Sequence, residues 1–116
     1  MKKFLVLYHS EGALSGMSVR EMFANSPPEQ LQAGMAAWMA WHEHCGAAVT
    51  DLGAPLDGST TLADGVGTPG KSTITGFSML QAGSMDEAVE LMKPHPHFHM
   101  PGASVQILEL VPMPGM

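Results

Sequence analysis

The segment Pro94-His95-Pro96-His97-Phe98-His99 holds three of the chain's six histidines. Histidine is the side chain that exchanges a proton near neutral pH, so each could act as a general acid or base. Proline fixes φ and removes a backbone donor, which predicts an extended, stiff segment. His95, His97 and His99, spaced by two, then share one face. Two chemistries follow. His95, flanked by prolines on both sides, is the candidate for proton transfer. Alternatively, the three imidazoles bind a divalent metal such as zinc, with water completing the shell. Same-face strand positions lie about 6–7 Å apart, which disfavours a tight tetrahedral site. The plainer alternative is a loop whose histidines are exposed or bonded to backbone.

Asp51 is the candidate partner of His95. A carboxylate in an otherwise apolar run must be paired, hydrogen-bonded or facing a wet cavity. Beside a histidine it would orient the imidazole and raise its basicity. In Asp51-Leu52-Gly53 it can equally be a turn residue that accepts backbone amides. Trp38 and Trp41, three apart on a helical stripe, are candidates for an aromatic ligand wall, although such a stripe also builds a core. His42 reads as a packing histidine. Cys45 is the single cysteine, which leaves no intrachain disulfide and no cysteine-based zinc framework. Residues 57–71 are Gly-rich but lack the Gly-x-x-x-x-Gly-Lys-Ser/Thr pattern of a phosphate loop. Gly65-Val66-Gly67 leads into a strand, where a dinucleotide fingerprint would open a helix.

These residues need elements to position them. Residues 4–8 form an apolar, β-prone run and predict a strand buried on both faces. A polar connection follows over residues 9–25, with a helical turn around 19–23. Ser26-Pro27-Pro28-Glu29 reads as a capping box that starts a helix. Leu31, Met35, Trp38, His42 and Cys45 form one stripe on it, and Gly46 ends it in a left-handed turn. Residues 47–56 predict a second strand, 57–71 a long loop that is either a plain flexible hairpin loop or a pocket lid, and 73–82 a third strand. Ser84-Met85-Asp86-Glu87 repeats the capping-box pattern ahead of a helix that closes at Lys93, because Pro94 follows. Residues 103–111 predict a fourth strand.

The order is β-α-β-β-α-β. Right-handed crossovers place both helices on one face of the sheet, which makes the fold class α+β with a four-stranded antiparallel sheet. The other face carries large apolar groups and needs a cover, and a second copy related by a two-fold axis supplies one. At 116 residues, one domain spanning residues 1–116 is expected. Apolar residues at 45% and charged residues at 14% describe a globular chain. A net charge of −6 with no basic cluster argues against nucleic acid or an anionic membrane surface as partner. No apolar run approaches the roughly 20 residues that span a bilayer. Cytoplasm is the expected compartment.

Several pieces taken in order resemble one family. They are Trp38-x-x-Trp41 ahead of a glycine, Asp51-Leu-Gly53-Ala-Pro55-Leu56, Ile74-Thr-Gly76-Phe77, Ser84-x-Asp86-Glu87-Ala88 and His95-Pro96-His97. Together they resemble the YCII-related (DGPF-type) proteins of the dimeric α/β-barrel superfamily. The resemblance implies ferredoxin-like subunits that pair sheet to sheet as a homodimer. It also implies a His–Asp pairing in a cleft, carried here by His95 and Asp51. The expected site is a pocket bordered by Trp38, Trp41, Asp51, His95 and His97. Two functions are open: a small-molecule enzyme using His95 as acid/base with no organic cofactor, or a noncatalytic module that binds a small apolar molecule or serves as a stress-related accessory.

Overall fold

The computed structural model describes residues 1–10 and 18–115. Its main layer is an antiparallel sheet of four strands in the order β2-β5-β1-β6, formed by β2 (Val49–Pro55), β5 (Ile74–Ala82), β1 (Lys2–Ser10) and β6 (Ala103–Glu109). Alternation of side chains along each strand sorts the sheet into two faces. Phe4, Val6 and Tyr8 of β1 and Leu80 and Ala82 of β5 form one face. They are buried together with Trp41 of α2 (Pro28–Cys45) and with Ala88 and Met92 of α3 (Met85–Met92). This is the α+β, ferredoxin-like arrangement that the element order predicts, with both long helices on one side of the sheet.

The opposite face carries Leu5 and Leu7 of β1. Their partners in register are Met79 and Phe77 of β5, and Leu108 of β6 stands opposite Leu5. No described helix covers this side. Leu108 remains 40% exposed.

Local signals account for most boundaries. Ser84 caps α3 by accepting the Glu87 N–H at 3.2 Å, and the Glu87 carboxylate accepts the Gly83 N–H at 2.7 Å. This is the reciprocal bonding expected of a capping box. Gly46 ends α2 with φ of 58°. The start of α2 departs from expectation. Ser26 closes a short helix, α1 (Val19–Asn25), and its hydroxyl donates to Met22 O at 2.7 Å, so Pro27 takes the cap position and no side chain caps α2. Part of the predicted 9–25 connection, residues 11–17, lies outside the described residues, while His9 and Ser10 extend β1.

Two larger expectations are corrected. Residues 57–71 are not an irregular loop. They contain a hairpin of β3 (Ser59–Ala63) and β4 (Val66–Gly70) that forms a separate two-stranded sheet. Its turn is Asp64-Gly65, with φ of 51° and 78°. Positive φ at both positions matches the twist of a tight hairpin. Residues 96–99 are not extended. They form one turn of 3-10 helix, Pro96–His99, so His95, His97 and His99 do not share a strand face.

β2 carries two irregularities in register, between Val49 and Asp51 and between Asp51 and Ala54. They interrupt the period-two alternation of a regular strand and turn Leu52 toward the helix-side core, against which it packs. Gly53 makes the bulge with φ of 83°, and a Cβ at this position would lie 1.7 Å from Phe77 O. No other residue type fits without displacing β5. Gly53→Ala is therefore expected to cost roughly 3 kcal/mol or more, read as a lower urea midpoint, whereas Gly34→Ala on the open side of α2 is neutral or stabilising.

Candidate functional site

His95 lies at the junction of α3 and the 3-10 turn, where Pro94 has ended the helix. It is 1% exposed and enclosed by aromatic rings. Trp38, Trp41 and Tyr8 have centroids 4.4, 4.5 and 4.9 Å from the imidazole. Pro96 at the first position of the turn has no N–H to satisfy. The next free donor, the His97 N–H, is accepted by His95 Nδ1 at 2.9 Å. His95 is thus the side-chain cap of this turn, a role usually taken by Ser, Asp or Asn.

That contact fixes the tautomer. An Nδ1 that accepts is unprotonated, so Nε2 carries the hydrogen in the neutral ring. Nε2–H then donates to Tyr8 Oη at 3.3 Å, the Tyr8 hydroxyl donates to Ser78 Oγ at 2.8 Å, and the Ser78 hydroxyl donates to Leu52 O at 2.6 Å. Every hydrogen in the chain has one direction. Both Tyr8 and Ser78 are buried on the helix side of the sheet.

The electrostatics follow from this enclosure. Burial is the main cause that pulls His95 down from 6.5 to about 3, with the neighbouring His97 and His99 adding to it. Burial likewise pushes Tyr8 up to about 12, against a lowering by its bond with Ser78. Both shifts favour the neutral forms. Near neutral pH this group is a fixed hydrogen-bond relay, and its imidazole does not titrate there.

The other expected site residues are placed as follows. Asp51 is exposed, and its Oδ1 accepts the Gly53 N–H at 2.8 Å. No hydrogen bond joins it to His95, whose two ring nitrogens are already engaged, so the expected His–Asp pair is not formed here. Asp51 instead braces the bulge whose Leu52 carbonyl ends the relay. Trp41 is a core residue, 4% exposed, with its indole N–H donating to Leu91 O at 2.9 Å. It ties α2 to α3 from within the core. His97 Nε2–H donates to His9 O at 2.9 Å and to Ser104 O at 3.2 Å. It therefore pins the turn to β1 and β6. His99 is exposed, and the zinc alternative fails because the three imidazoles do not converge. His42, read as a satisfied packing histidine, leaves its Nδ1 buried with no partner among the described residues.

Trp38 is the one aromatic ring of the enclosure that reaches the surface in part. It is half-buried, meets Tyr8 at a tilt of 58° and His95 edge-on at 88°, and shares its helix stripe with the exposed Met35 and Leu31. Tyr8 and Ser78 are not among the residues that the sequence patterns single out. Their signal was present: a tyrosine and a small hydroxyl residue at the inward positions of two central strands need polar partners.

The chain matches no model of a known protein family, and no curated protein is significantly similar to it.

A depressed histidine gives a pH dependence of definite sign. The neutral ring contributes stability in full above pH 6.5, and that contribution is lost as pH falls from 6.5 toward 3. Below pH 6 the wild type is expected to lose up to about 1.4 kcal/mol per pH unit more than His95→Asn. The asparagine can still cap the turn but cannot charge. Urea titrations of both proteins between pH 7 and pH 4.5 measure the difference.

Proposed function

We propose that this chain is a noncatalytic, homodimeric binding module that holds a small apolar molecule against the outer part of α2. The observation that carries this reading is the commitment of His95. A ring with both nitrogens bonded inside an aromatic enclosure, and a pKa near 3, is a poor proton carrier at neutral pH. The half-buried Trp38 above it remains available as an aromatic wall, and Met35 beside it is 66% exposed. An apolar ledge on an aromatic floor suits a small apolar or aromatic ligand. The relay beneath keeps that floor rigid.

The YCII resemblance supports the same reading through its dimer. A second copy covers Leu5, Leu7, Phe77, Met79 and Leu108 by presenting the same surface in return. The centre of this face carries no charge, so an acidic chain can meet itself there. A cytoplasmic location belongs to the reading too. Among the described residues, no helix is long and apolar enough to cross a membrane.

Thermal-shift screening over small carbonyl, lactone and phenolic compounds tests the binding. A ligand is expected to raise the Tm of wild type and of His95→Asn by similar increments. The increment should vanish in Trp38→Ala and in Met35→Asp, the latter at a position too exposed to disturb folding. Turnover of any compound that disappears in His95→Asn would return proton transfer to His95 and defeat the proposal. For the assembly, sedimentation equilibrium should give twice the chain mass, and Leu7→Lys should give the single-chain mass with unchanged helix content.

A further inference from the structure

We propose that the β3–β4 hairpin is an arm that clasps a second copy of this chain. This rests on the two-fold reading above and adds to it the element that reaches across. Residues 60–70 are all exposed, with Leu62 at 74% and Val66 at 62%. The two strands form their own sheet, so neither outer edge is paired with the main one. In register, Leu62 stands opposite Gly67 and Ala63 opposite Val66. The alternation therefore puts Leu62 on one face of the ribbon and Val66 on the other. The strand residues Ser59–Ala63 and Val66–Gly70 include no charged side chain, and Asp64 at the turn is the ribbon's single ionisable group.

Beyond its base, such a ribbon gains little support from the described residues of its own chain. A lone two-stranded hairpin is marginally stable in water, and solvent-exposed edges are ordinarily guarded by charge or proline. Pro69 guards one edge position, and no lysine or glutamate guards the rest. The base of the arm is held, because the Arg20 N–H donates to the Asp57 carboxylate at 3.1 Å. The rest projects.

The surface of the whole chain indicates the occupant. Its accessible area is 7698 Å², against about 6,100 Å² for a folded monomer of this mass. The excess comfortably exceeds the roughly 800 Å² that each partner contributes to a standard interface. The radius of gyration, 15.7 Å, is likewise above the roughly 13 Å expected of a self-contained domain this long. The chain carries a net charge of −6, so a copy of itself is best approached through uncharged parts. The apolar centre of the open sheet face, Leu5, Leu7, Phe77, Met79 and Leu108, carries no charge, and the arm carries one, Asp64 at its tip. Two-fold symmetry makes the clasp reciprocal, each copy giving one arm and receiving one.

Two variants test the arm. In the first, residues 60–69 are replaced by Asn-Gly, which closes the gap between the paired residues Ser59 and Gly70 with a two-residue turn. In the second, Leu62→Asp and Val66→Asp are combined at positions too exposed to affect folding of the subunit. Sedimentation velocity across a dilution series should show the dimer Kd raised at least ten-fold in both. Hydrogen exchange of the residue 59–70 amides should be protected in the wild-type dimer and lose protection on dilution below its Kd. A wild-type dimer whose Kd is unchanged in both variants, with these amides unprotected throughout, overturns the arm and leaves the sheet-face dimer standing. A wild type that stays monomeric at every concentration overturns the two-fold reading and the arm with it.

Discussion

The directed hydrogen-bond relay from His95 through Tyr8 and Ser78 to Leu52 O connects four separate parts of the chain. The 3-10 turn, β1, β5 and β2 each contribute one group. A buried polar group without a partner costs about 1–3 kcal/mol, so no member can be lost without leaving a neighbour unsatisfied. The relay also needs a carbonyl turned inward from β2, an arrangement that a regular edge strand does not supply. The Gly53 bulge supplies it, and Asp51 holds the bulge by accepting the Gly53 amide. The carboxylate and the imidazole are therefore linked, through the backbone of an edge strand and not through a shared proton.

That linkage leaves Asp51 and His95 without the direct contact that acid–base chemistry shared between them would need. A catalytic histidine must release and regain a proton near the working pH, which requires a charged form that the surroundings tolerate. Three aromatic rings and two neighbouring imidazoles around His95 disfavour that form. What they favour is a neutral ring of fixed tautomer that caps one turn and anchors one relay. His97 does similar work two residues on, joining the turn to both flanking strands. The histidine-rich corner is thus a clasp between helix α3 and the sheet.

Much of the fold was legible because its determinants are local. Ser84 and Glu87 lie in one turn of chain, and the period-two burial of β1 and β5 is written in consecutive residues. The hairpin was legible too, in Asp64-Gly65 between Thr-Leu-Ala and Val-Gly-Thr, but a high content of Gly, Ser and Thr masked that pattern as loop. The histidine segment misled for a different reason. Proline limits φ alike in an extended chain and in a 3-10 turn, and the choice was made by His95 Nδ1 accepting the His97 amide. The Ser26 box failed through competition, since the same hydroxyl closes α1 by bonding Met22 O. The relay itself joins residues up to 87 apart in sequence, and spacing along the chain carries no trace of such contacts.

The two faces of the sheet show how strongly one packing decision constrains the next. Because both long helices lie on the Phe4–Val6–Tyr8 side, the relay is sheltered and the Leu5–Leu7 side is left to whatever the environment provides. A sheet apolar on both faces with one layer of helices is half of a layered structure. A further helix would close it, but this chain spends those residues on a ribbon whose residues 60–70 are all exposed. A hairpin with Leu62 and Val66 on opposite faces and no charge along its strands has two apolar sides to cover. The described residues leave both of those sides exposed, and it is this that the arm proposed above would relieve.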